Sequence, residues 1–142
     1  MNFKLIGAAA ALSMMMAAGA QAATVNYMAM LDGKSEVPAN AEKGTGMVEG
    51  KLDTATKVFT YTVTYKDLTG PATAAHFHTG AVGANGPPTV PVPAAAVAMN
   101  PIKGEATLTD AQIAAFDAGG VYFNIHTAAH GPGEIRGQVM KH

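Results

Sequence analysis

The amino-acid sequence predicts an all-β domain: an antiparallel sandwich or barrel with one short connecting helix. Three observations carry that expectation. Short runs of β-branched and aromatic residues alternate between apolar and polar with a period of two. Turn signals rich in Gly, Pro, Asn and Asp recur between those runs. Only one stretch combines a helix start signal with a helix stop signal.

The elements follow in order. Thr24 to Leu31 places Val25, Tyr27, Ala29 and Leu31 on one face, and Gly46 to Leu52 is a weaker strand. Lys57 to Tyr65 is the clearest: Phe59, Tyr61, Val63 and Tyr65 alternate with Val58, Thr60, Thr62 and Thr64. Asp53 to Thr56 turns between those two strands. Thr73 to His78 is the next strand, followed by a Gly-rich loop to Gly86. Pro87, Pro88, Pro91 and Pro93 confine the following stretch to a sheet edge or an irregular connection, because proline donates nothing to a ladder. Lys103 to Leu108 is another strand. Thr109-Asp110-Ala111-Gln112 is a capping box that starts the short helix, and Gly119-Gly120 stops it. Val121 to His126 and Glu134 to Met140 form a hairpin across the turn at 127–133. The five methionines that follow the leader, Met28, Met30, Met47, Met99 and Met140, are expected mostly as core filler.

Residues 1–22 read as a signal peptide. Lys4 lies in a short positive region, Leu5 to Ala18 form an apolar stretch, and Ala20-Gln21-Ala22 supplies a small-x-small cleavage pattern. The apolar stretch is too short for a membrane span, and no cysteine follows it to take a lipid. The expectation is an exported protein, periplasmic or extracellular, with one domain over residues 23–142 and no membrane anchor. The chain has nine basic and ten acidic residues; without Lys4 the balance is eight against ten, a net charge of −2. No run of like charge suits nucleic acid as a partner. There is no cysteine, and Ser35, the one serine after the leader, lies outside any nucleophile motif, so covalent acyl chemistry has no nucleophile. No catalytic residue is assigned.

The chemistry concentrates in histidines. A His-x-His spacing on a strand, here His76 and His78, projects both imidazoles from one face. Val121, Phe123 and Ile125 point to the core, which sends Tyr122, Asn124 and His126 to the other side. The same phase turns Glu134, Arg136 and Gln138 outward. If these strands are neighbours, His76, His78, His126, Glu134 and Arg136 form one patch, partly covered by the loops at 79–86 and 127–133. The three histidines are the expected metal ligands; Asn124, Glu134 and Arg136 are expected to support them or bind a ligand. Arg136 has plainer roles as well, an ion pair with Glu134 or a hydrogen bond to a backbone carbonyl. His130 and His142 are expected in solvent. The order of affinities among divalent first-row ions favours copper at an imidazole site.

Several motifs together resemble the CHRD domain. They are Leu31-Asp32-Gly33-Lys34-Ser35-Glu36-Val37-Pro38, Gly44-Thr45-Gly46, Tyr61-Thr62-Val63, Ala75-His76-Phe77-His78-Thr79-Gly80, Tyr122-Phe123-Asn124-Ile125-His126-Thr127 and Gly133 to Val139. The resemblance implies an immunoglobulin-like β-sandwich over residues 24–140 and no established enzyme activity. A second, fainter similarity links His76-Phe77-His78 to the copper-binding strand of copper/zinc superoxide dismutases, which are Greek-key sandwiches. It implies His126 as a further copper ligand and Arg136 as an anion-steering group. The chain lacks that family's bridging histidine, disulfide and charged loop, so the similarity extends to a mononuclear copper site and not to a zinc site. Three functions stay open: a copper-handling metal binder, a module that binds a protein or small ligand without catalysis, and a superoxide-dismutase-like redox enzyme.

Overall fold

The structure is a computed structural model that describes residues 21–142; the expected leader falls almost wholly outside them. Eight strands follow in chain order: β1 (Thr24–Asp32), β2 (Thr45–Asp53), β3 (Val58–Lys66), β4 (Ala72–Thr79), β5 (Pro88–Pro91), β6 (Ile102–Thr107), β7 (Val121–Thr127) and β8 (Ile135–Lys141). Helix α1 (Ala94–Val97) lies between β5 and β6, and α2 (Asp110–Asp117) between β6 and β7. All eight strands belong to one antiparallel sheet in the order β5-β4-β7-β8-β1-β2-β3-β6. The fold is thus all-β, as the alternation predicts.

The sheet rolls over a single core. Phe59 and Tyr61 on β3 meet Phe77 on β4 edge to face, with ring centroids 5.6 and 5.0 Å apart. Strands at opposite ends of the sheet order therefore face each other, as the two layers of a sandwich do. Each such aromatic pair contributes about 0.5–1.5 kcal/mol beyond the area it buries. The two layers are joined where β1 pairs with β8. Gly137 makes that junction possible: a Cβ there would overlap the carbonyl oxygen of Met30.

Helix α2 begins with the expected capping box, in which Thr109 Oγ accepts from the Gln112 amide and the Gln112 side chain accepts from the Thr109 amide. Its Phe116 closes one end of the core, 4.9 Å from Phe59. The expectation of a single helix needs correction, because α1 adds one turn after Pro93. Alanine, the best helix former, fills that turn, but four residues are too few for a periodic signal. The Pro-rich stretch forms the edge strand β5, paired with β4 on one side only.

The methionines also depart from expectation. None lies in the core; Met30, Met99 and Met140 are 67%, 63% and 54% exposed. Short aliphatic and aromatic side chains fill the interior; Met28, Met30, Met47 and Met140 occupy outward phases of their strands, and Met99 lies in the turn before β6.

Candidate metal centre

Strands β4 and β7 are neighbours, and their register sets His76 opposite Asn124, His78 opposite Tyr122, and Ala74 opposite His126. Phe77, Phe123 and Ile125 hold the other face of these strands in the core, so the pleat fixes the three imidazoles on the outer side. His76 Nδ1 lies 3.3 Å from His126 Nε2. One ring nitrogen from each of His76, His78 and His126 falls within 4.8 Å of the others. Two ligands on opposite sides of an ion, at bonds of about 2.0–2.1 Å, stand about 4 Å apart. Closure by less than about 1 Å of side-chain movement brings the set to binding distance.

Two backbone carbonyls fix the tautomers. His78 Nδ1 is 2.8 Å from Gly86 O, and His126 Nδ1 is 2.8 Å from Gly131 O. A carbonyl only accepts, so both Nδ1 atoms carry the proton and both Nε2 atoms present lone pairs. His78 Nε2 is buried and has no hydrogen-bond partner. An orphaned buried acceptor is costly; a metal ion would satisfy it, as would a hydrogen-bond donor, and the Asn124 side chain stands beside it. Burial lowers the pKa of His76 and His78, and the neighbouring imidazoles His126 and His78 lower His76 further. The pair is thereby held neutral, the state that binds metal.

The expected roof is present. Tyr122 stacks on His78, rings parallel at 4.8 Å, and the Arg136 guanidinium lies 3.5 Å from the centre of the Tyr122 ring. Arg136 then donates to Asn85 Oδ1 at 3.0 Å and to Ala84 O at 2.6 Å, which pins the 79–86 loop over the face. Gly86 closes this loop; a Cβ there would overlap Thr79 O.

Three expectations about the surrounding residues need correction. Arg136 is on the predicted face but is 2% exposed, roofed rather than open; it makes no ion pair with Glu134 and instead takes the alternative role, holding the backbone carbonyls of Ala81 and Ala84. Asn124 is likewise on that face but 3% exposed; its amide nitrogen donates to Pro132 O at 3.4 Å, and its Oδ1 is without a partner. Glu134 leaves the patch altogether. It precedes β8, where strand alternation no longer binds it, and its carboxylate turns toward Thr69 and Thr127. There it accepts from the Thr69 amide at 2.7 Å, from Thr69 Oγ at 2.5 Å and from Thr127 Oγ at 2.6 Å. Burial pushes this carboxyl up, but the bonds from Thr127 and Thr69 outweigh it and hold the pKa below the ordinary value.

Glu36 takes the place expected of Glu134. It is 4% exposed, lies against Gly133, and leaves Oε1 without a partner. Burial raises its pKa to about 7 against the opposing pull of Arg136. No spacing signal marks Glu36, since it sits in the irregular loop between β1 and β2. Tyr122 was legible in phase but not in role, because stacking depends on which residue stands opposite. His130 pairs with Glu42 at 3.1 Å, away from the trio.

A family model described as the CHRD domain matches residues 27–139. The chain belongs to the CHRD domain family. The stretches around His76, His78 and His126 thus fall inside a domain whose membership points to a small binding module. No match is found among curated proteins or among solved structures. Among the described residues, no helix is long and apolar enough to cross a membrane.

Proposed function

We propose that this CHRD domain binds a single metal ion through His76 Nδ1, His78 Nε2 and His126 Nε2, and that copper is the ion. The observation that carries the reading is the clustering of His76, His78 and His126, one ring nitrogen of each within 4.8 Å of the others, with the buried Nε2 of His78 left without a partner. His78 and His126, held by carbonyl-bound Nδ1 protons, present neutral imidazoles suited to a first-row ion, and affinity among divalent ions of that row peaks at copper. The leader-like residues 1–22 support export to a compartment where copper is met. When bound, copper would supply a Lewis-acidic and redox-active centre; the chain's part is to hold it and limit water with the Tyr122–Arg136 roof.

Cu(II) titration of the wild type and of His76→Ala tests this. The wild type is expected to take up one equivalent, and the variant to bind at least tenfold more weakly. Binding of less than a tenth of an equivalent by both proteins would sink the proposal. A ligand-binding module is the second reading, favoured by a pocket of about 290 Å3 lined by Ser35, Glu36, Val37, Val82 and Arg136. The redox-enzyme reading has less support: an anion-steering arginine needs a free guanidinium, and that of Arg136 is engaged by Tyr122, Asn85 and Ala84.

A further inference from the structure

Four of the five methionines in the described chain stand together on one outer face. Tyr27, Ala29 and Leu31 take the core phase of β1, which turns Met28 and Met30 outward. The register then sets Met28 opposite Met140 on β8 and Met30 opposite Met47 on β2. Residues directly opposite in an antiparallel pair have Cβ atoms about 4.5–5.5 Å apart, and a methionine side chain has three rotatable bonds beyond that point. The register therefore puts Met30 and Met47 within reach of a shared ligand; the Met140 sulfur rests against Gly119 and reaches Met28 by a side-chain rotation. Met30 and Met47 also line one pocket of about 250 Å3. Packing does not account for Met30, which is mostly exposed, and only the tip of Met140 packs, against Gly119. The remaining exposed methionine, Met99, lies apart in the turn before β6.

We propose that Met28, Met30, Met47 and Met140 form a thioether site for a soft monovalent ion of the copper(I) class. Thioether sulfur selects such ions over hard divalent ones, whereas imidazole suits copper(II). The carboxylate nearest in register, Glu49 opposite Met28, is exposed and solvated, so the sulfurs are the distinguishing donors. In the sheet order β1 is three strands from β4, about 14 Å at the usual strand spacing. The domain would then carry two sites of different softness on one continuous sheet. The thioether site does not depend on the histidine trio.

The test uses Ag(I), a redox-inert ion of the same class, added to the full protein with 13C-methyl-labelled methionine and observed by NMR. The methyl signals of Met28, Met30, Met47 and Met140 are expected to shift and saturate near one equivalent while Met99 stays still. The same shifts are expected in His76→Ala, which separates this site from the trio. The variant Met28→Leu/Met30→Leu/Met140→Leu, near-isosteric and on the surface, should bind Ag(I) at least tenfold more weakly and keep its Cu(II) uptake. The proposal is overturned if Met99 responds as strongly as the other four, if no signal moves below ten equivalents, or if the triple variant retains its Ag(I) affinity.

Discussion

The outer face of β4, β7 and β8 and the outer face of β1, β2 and β3 are built from strands of the same alternating kind, yet they differ in what water reaches. On the first, the loops at 33–44, 79–86 and 127–133 fold back over the sheet and bury Glu36, Tyr122, Asn124 and Arg136. On the second, the β2–β3 connection is a tight turn that covers nothing, and Glu49, Lys51, Thr60 and Thr64 stay open to solvent. Polar groups under a roof must be paired or left at a cost, so they acquire shifted pKa values and orphaned atoms. Polar side chains on the open face are solvated instead, and there any distinctive chemistry rests with the methionine sulfurs. Loop length, more than strand sequence, separates buried polar groups from solvated ones.

Removing the pin of the roof is the strongest way to break this contrast. Arg136→Ala should destabilise the fold by about 3 kcal/mol, because charge-assisted bonds to Asn85 and Ala84 and the stack on Tyr122 go together. Chemical denaturation measures it; a loss under about 1 kcal/mol would mean that the loop is held without it.

The two buried glutamates sharpen the contrast by titrating in opposite senses. Glu134 has a lowered pKa, so its contribution is present above the ordinary glutamate pKa and is lost as pH falls through the folded value. Glu36 has a raised pKa of about 7, so its contribution is present below the ordinary value and is lost as pH rises through about 7. Each gives a slope of at most about 1.4 kcal/mol per pH unit. Melting curves across pH 3–9 should show Glu134→Gln flattening the acid limb and Glu36→Gln flattening the decline between about pH 4.5 and 7. If both variants follow the wild-type profile, these carboxyls are not buried as described. The smallest effect belongs to the open face: Lys51→Ala should change stability by less than about 0.5 kcal/mol, and a larger loss would show that face to be less idle than it looks.

Much of the site was legible from phase alone. Period-two alternation placed His76, His78 and His126 outside a core of Phe77, Phe123 and Ile125, because the pleat leaves a strand residue only two directions. The same rule misplaced Glu134, which stands just outside its strand, where a side chain is free to turn either way. It was silent on Glu36, because an irregular loop has no period.

The sequence by itself determined that the chain is an antiparallel β protein with a capped helix before β7 and three histidines on one side of their strands. Those features rest on local rules: alternation, turn residues and the Thr109–Gln112 capping box. Only the tertiary structure decided that β4 and β7 are neighbours, that Gly86 and Gly131 fix the imidazole tautomers, and that Arg136 is roofed rather than free. It also gathered four scattered methionines onto one face, through the pairing of β1 with both β2 and β8. The meeting of His76 with His126, 50 positions apart, depends on how the whole sheet closes over its core, and the shorter contacts lie in loops without a period, so no local pattern encodes either.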